Sequence, residues 1–102
     1  MSVVSSELDR LVHRVLLPGF VGTDAPEWVL RRLERGLGGV VLFARNVAGV
    51  EQVSTLTTQL RAVDPRVLVS VDEEGGDVTR LEAARGSSFA GAAVLGAADD
   101  VD

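Results

Sequence analysis

The run Val67-Leu68-Val69-Ser70-Val71 passes without a break into Asp72-Glu73-Glu74-Gly75-Gly76. A short, β-branched apolar run of this kind is too short for a helix and reads as a buried parallel strand. Its end is abrupt: three carboxylates, then two glycines. A strand that leaves the core into acid and then glycine directs a charged side chain out of the carboxyl end of a sheet. In α/β folds ligands bind at that end. Arg80 follows 8 residues after Asp72 and can return an opposite charge to the same place.

The rest of the chain alternates helix and strand. Leu8, Leu11, Val12 and Val15 follow helical spacing, with Ser5 or Ser6 as cap and Glu7 and Asp9 in the first turn, where the helix dipole favours negative charge. Val15-Leu16-Leu17 then reads as a short strand stopped by Pro18-Gly19. A second helix starts at Thr23-Asp24-Ala25-Pro26-Glu27, with Asp24 as N-cap and Glu27 completing a capping box. Its apolar stripe is Val29, Leu30, Leu33 and Leu37, and Gly36, Gly38 and Gly39 end it. Val40-Val41-Leu42-Phe43 is the next buried strand, ending in Ala44-Arg45-Asn46. A third helix over 49–63 places Val50, Val53, Leu56, Leu60 and Val63 on one face, although Thr55, Thr57 and Thr58 are mediocre helix formers. Asp64-Pro65 breaks it ahead of Val67. From Phe89 to Ala98 the chain is rich in Ala and Gly and reads as a loop with one weak helical turn.

Strands joined through helices imply right-handed βαβ units. The expected fold class is therefore α/β, a parallel βαβαβ segment. Three such strands leave two open sheet edges, which invite association. A (β/α)₈ barrel removes those edges but takes roughly 250 residues, against 102 in this chain.

Composition limits the function classes. Hydrophobic residues make up 46% of the chain, which suits one small globular domain. A net charge of −5 argues against nucleic acid and anionic membranes as partners. The acids are scattered, with no acidic tail beyond Asp99, Asp100 and Asp102. With no cysteine there is neither a disulfide nor a thiolate metal site. Residues 1–10 carry acids and no basic n-region, so no secretory signal is expected and cytoplasm is the default. No stretch approaches the roughly 18 apolar residues of a membrane span.

Other residues have a plain reading beside a functional one. Glu73 and Glu74 can form an acid/base pair or hold Mg²⁺, or one can be structural and the other solvated. Arg45 and Asn46 can touch a ligand, or Asn46 can start the helix that follows. His13 lies off the apolar stripe and far from the strand ends, which speaks against a catalytic base. Trp28 can stack on a ligand or pack in its first helical turn. Gly36-Leu37-Gly38-Gly39 precedes a strand, whereas phosphate loops follow one.

Asp72-Glu73-Glu74-Gly75-Gly76, with Val78 and Arg80, resembles the D-[QE]-E-G-G-x-V-x-R signature of glycoside hydrolase family 3. Gly38-Gly39-Val40-Val41-Leu42-Phe43-Ala44-Arg45-Asn46 is similar to the G-G-[VI]-[IL]-L-F-x-R-N segment of that family's second strand. The likeness is greatest to its bacterial β-N-acetylhexosaminidases and runs over roughly residues 15–100. It implies that the chain is an N-terminal fragment, residues 1–102, carrying the first three strands of a TIM-type (β/α)₈ barrel. It further implies a retaining mechanism on terminal N-acetylglucosaminides, such as those of peptidoglycan fragments. The acid/base His and the nucleophilic Asp of the family belong to later loops and strands, so no catalytic residue is assigned here. Asp72 and Arg80 match positions that bind the terminal sugar.

An ionised carboxylate can accept two sugar hydroxyls, and a guanidinium donates in a fixed fork and can hold Asp72 ionised. No metal or other cofactor is expected. The implied partners are the carbohydrate substrate and either the remainder of the barrel or another chain covering the sheet edges. The competing expectation is a non-catalytic sugar-binding or interaction domain that oligomerises through those edges. Phosphate replacing water as acceptor is a variant within the family.

Overall fold

The computed structural model describes residues 3–99, so Asp100 and Asp102 lie outside the described residues. The chain divides between Ser70 and Val71 into two compact units.

The first unit begins with α1 (Val3–Arg14), followed by α2 (Glu27–Glu34), β1 (Gly39–Leu42), a 3-10 turn (Ala44–Asn46) and α3 (Val50–Val63). It ends in β2 (Leu68–Val71), whose last residue opens the second unit. β1 and β2 form a two-stranded parallel sheet, as the α3 crossover between them requires. The fold is α/β as expected. α2 and α3 pack on each other. The core is Phe20, Val29, Leu33, Leu37, Val40, Leu42, Leu56, Leu60 and Val67, all buried. The α2 stripe thus packs inward as its spacing predicts, except that Leu30 is only half-buried. On α3, Leu56 and Leu60 are buried while Val50 faces solvent. The α3 threonines bond back to the helix: Thr55 Oγ1 donates to the Glu51 carbonyl, and Thr57 and Thr58 donate to that of Ser54.

Several expectations are corrected. α1 starts at Val3, so Ser5 and Ser6 lie inside the helix, and Glu7 and Asp9 fall beyond its first turn. Its stripe of Leu8, Leu11, Val12 and Val15 is exposed, and His13 is the buried residue instead. Among the described residues nothing covers the apolar side. His13 Nδ1 lies 2.7 Å from the Asp9 carbonyl oxygen, and its Nε2 lies 3.3 Å from Arg32 Nη1. These contacts fit a neutral ring that donates from Nδ1 and accepts at Nε2. α2 starts at Glu27 behind Pro26 and makes no side-chain cap bond, so Asp24 is not its cap. The Pro26 carbonyl takes the Val29 and Leu30 amides.

Val15-Leu16-Leu17 is not a strand. The Leu16 and Pro18 carbonyls nevertheless accept the Gly39 and Val41 amides at 3.3 and 3.1 Å, so this segment runs along the free edge of β1. The expected buried strand at 67–71 is buried only at Val67, and Leu68 is 61% exposed. Nothing pairs with the outer edge of β2 among the described residues. In the second unit the weak turn is a full helix, α4 (Ala92–Ala98), with no buried residue.

Two features hold β1 in place. A Cβ at Gly38 would lie 2.1 Å from the Arg14 carbonyl oxygen, and one at Gly39 would lie 2.2 Å from that of Leu68. These glycines are therefore close-approach positions and not merely a helix stop. At the other end Asn46 is completely buried. Its Oδ1 accepts the Phe43 amide at 2.9 Å, and its Nδ2 donates to the Phe20 and Gly22 carbonyls at 3.1 and 2.8 Å. Asn46 thus bolts the 20–22 loop to the end of β1; it does not start α3.

Asn46→Ala leaves the Phe43 amide and the Gly22 carbonyl without this partner and takes one of two donors from the Phe20 carbonyl, which is expected to cost about 3 kcal/mol. Gly39→Ala forces two paired backbones apart and is expected to cost at least as much. Lowered urea midpoints at unchanged slope would show both effects, and midpoints equal to wild type would refute them.

Candidate functional site

The second unit opens where β2 delivers Asp72 to its carboxyl end. The Asp72 side chain is exposed and makes neither a hydrogen bond nor an ion pair among the described residues. The expected ion pair with Arg80 is absent among those residues, so Arg80 does not hold Asp72 by direct contact. Arg80 is half-buried, and its Nε is buried with no hydrogen-bond partner.

Glu73 and Glu74 divide their roles. The Glu73 carboxylate reaches forward along its own loop. One oxygen takes the Arg80 amide and, at 2.7 Å, the Leu81 amide, and the Thr79 hydroxyl lies 2.9 and 3.1 Å from the two oxygens. Those donors favour the ionised form and lower the Glu73 pKa, the Leu81 and Arg80 amides first. Engaged in this way, Glu73 is not a free acid, base or metal ligand. Glu74 is exposed, and its amide bonds to the Val78 carbonyl at 3.0 Å.

The buried Thr79 links this clamp to a second one. Its hydroxyl accepts the Glu82 amide at 3.1 Å. The Glu82 carboxylate takes both the hydroxyl and the amide of Ser88 at 2.6 Å, and its pKa is lowered by that hydroxyl and then by that amide. Sequence reading missed Thr79 and Glu82, whose partners lie beyond local periodicity. Gly75 and Gly76 both have positive φ, at 83° and 56°. A Cβ on Gly75 would lie 2.5 Å from the Ala90 carbonyl oxygen, and the Gly76 amide donates to the Phe89 carbonyl at 2.8 Å. The glycine pair therefore lets the 89–91 backbone pass closely, in addition to making a turn.

In the first unit, Arg45 Nε donates to the Phe20 carbonyl at 2.8 Å, and its guanidinium stands 5.0 Å from the Phe43 ring centroid. Gln52 Nε2 bonds the Thr23 and Asn46 carbonyls at 2.6 and 3.0 Å. These contacts give Arg45 and Asn46 loop-holding roles. Trp28 is 41% exposed and lines a surface cleft of about 330 Å³ with His13, Leu16, Pro18, Arg32 and Leu37. Among the described residues no three His, Asp or Glu side chains group as a metal site, and no helix is long and apolar enough to cross a membrane.

The two carboxylate clamps carry a pH prediction. Both pKa values are depressed from the ordinary 4.5, so the stability that the ionised carboxylates add to the loop is present above that pH and is lost as pH falls through the lowered values. The Arg80, Leu81 and Ser88 amide resonances should titrate with midpoints below 4.5. Midpoints at or above 4.5 in a proton–nitrogen NMR titration would contradict the clamps.

No family model matches the chain. It is 43% identical to a beta-hexosaminidase from Neisseria gonorrhoeae over 52 residues, half of this chain and 14% of that protein. A solved glycoside hydrolase family 3 β-N-acetylglucosaminidase from Paenibacillus sp. str. FPU-7 superposes with TM-score 0.78 and 34% identity, over 91% of this chain and 19% of that one. NagZ from Neisseria gonorrhoeae, solved in complex with N-trifluoroacetyl-D-glucosamine, matches 65% of this chain and 20% of its own at TM-score 0.58 and 34% identity. The chain thus spans no more than about a fifth of the length of these relatives. In sequence, in fold and in its two motifs the chain is therefore similar to part of the glycoside hydrolase family 3 N-terminal domain.

Proposed function

We propose that these residues form part of the sugar-binding end of a retaining glycosidase acting on terminal N-acetylglucosaminides, with Asp72 and Arg80 as the groups that bind the terminal sugar. The observation that carries this reading is the state of those two side chains. Asp72 presents an exposed, unengaged carboxylate at the end of β2, and Arg80 in the same loop has a buried Nε–H without an acceptor. Sugar hydroxyls are both donors and acceptors and can serve the two groups together. Loss of either charged partner removes a charge-assisted hydrogen bond worth roughly 1.5–3 kcal/mol. The names of the relatives, β-N-acetylglucosaminidase and beta-hexosaminidase, support the substrate class.

Catalysis belongs to groups outside this segment. A retaining enzyme needs a nucleophile and an acid/base flanking the scissile bond, and neither is assigned among these residues. In this reading the segment contributes the first three strands of a (β/α)₈ barrel. The edge of β1 followed by Leu16 and Pro18 supports a strand position there, and the open edge of β2 supports continuation of the sheet.

A second reading, a non-catalytic sugar-binding domain that self-associates, draws on exposed Leu68 and the exposed apolar side of α1. A defined oligomer with saturable sugar binding by the 102-residue chain would favour it. A monomer or undefined aggregates without binding would favour the barrel.

The 102-residue chain alone is expected to show no turnover of a chromogenic N-acetylglucosaminide, and measurable turnover would refute the assignment of catalysis elsewhere. In the native polypeptide as its cells make it, Asp72→Asn should weaken N-acetylglucosamine binding about tenfold, the equivalent of ~1.4 kcal/mol. Unchanged affinity would remove Asp72 from the site.

A further inference from the structure

Asp72 and Glu73 are adjacent carboxylates with opposite engagements. One is free, and the other is bonded to three consecutive residues of its own loop, with Arg80 in the middle. We infer that Glu73 is the positioning residue for Arg80, a role that rests on the sugar-site reading above. Glu73 reaches 6 to 8 residues forward, and its contacts bracket Arg80: the Thr79 hydroxyl before it, its own amide, and the Leu81 amide after it.

Two successive amides converging on one oxygen make an anion-binding concavity, and Glu73 fills it from within the chain. Those bonds fix the backbone of Arg80 and hence the direction in which its side chain leaves. Holding that direction in advance reduces the ordering that a ligand would otherwise have to impose. Arg80 is already half-buried with a buried, unpartnered Nε, which is the state of a donor held ready for an external acceptor. Thr79 keeps the clamp from swinging, because the same hydroxyl also receives the Glu82 amide.

Reach and charge can be separated experimentally. Glu73→Gln keeps the length and an oxygen able to accept both amides but removes the charge. Glu73→Asp keeps the charge but falls one methylene short. Glu73→Ala removes both. In the native polypeptide, N-acetylglucosamine affinity should stay within about threefold of wild type for Glu73→Gln and fall about tenfold or more for Glu73→Asp and Glu73→Ala. Hydrogen exchange of the Arg80 and Leu81 amides should follow the same order.

If Glu73→Asp binds like wild type while Glu73→Gln does not, Glu73 acts through its charge and the positioning role is overturned. Wild-type affinity in Glu73→Ala or Glu73→Asp also overturns it, as does failure of Glu73→Gln to bind. If wild type itself binds no sugar while its Arg80 and Leu81 amides are protected, the sugar-site reading fails, and the positioning role fails with it. The two failures therefore appear in different proteins: the first in the variants, the second in the wild type.

Discussion

β1 is confined at both ends of its path, and the first unit is built around that confinement. At its start there is no room for a side chain: Gly38 lies against the Arg14 carbonyl, and Gly39 lies against the Leu68 carbonyl. The same backbone donates from Gly38 to the His13 carbonyl and accepts the Leu68 amide at the Gly38 oxygen. Three segments far apart in sequence therefore meet where any Cβ would separate them. Close-packed interiors do not absorb such an intrusion cheaply. At the end of β1, Asn46 supplies an acceptor and two donors to backbone that has no regular partner.

The second unit uses a different device. Among its described residues no large apolar side chain is buried, and α4 buries none. Order in the 73–88 loop comes instead from carboxylates that accept backbone and hydroxyl donors, with Thr79 shared between the two clamps. Charge-assisted bonds of this kind are directional, and hydrophobic contact is not. A loop ordered by directional bonds can hold one side chain, Arg80, in a definite orientation with little core beneath it.

The run of acids after β2 shows how identical chemistry divides by geometry. Asp72, Glu73 and Glu74 are indistinguishable by charge, and periodicity assigns none of them a role. Their difference arises from what returns to meet them: Thr79, Arg80 and Leu81 meet Glu73, and no side chain of the described residues meets Asp72. The resemblance of the motif marks Asp72 and Arg80 for attention, but the importance of Glu73 becomes legible only when the loop closes. His13 illustrates the converse. Helical spacing identifies an apolar side on α1 correctly, yet in this chain that side faces solvent and the imidazole packs inward with Arg32.

The sequence by itself determined the order of helices and strands between residues 27 and 71, the stripe by which α2 packs, and the family motifs at β1 and β2. Local spacing and β-branching report which faces are apolar, and the glycine and acid punctuation reports where strands end. Tertiary structure alone decided that Leu16 and Pro18 accompany β1 without becoming a strand, that Gly38 and Gly39 serve close approach, and that Asn46 is a buried bolt. It also decided that Glu73 holds Arg80. The physical reason is common to all four. Each depends on backbone groups that only long-range closure brings within hydrogen-bonding or van der Waals distance, and a backbone carbonyl or amide leaves no residue-specific mark in the sequence.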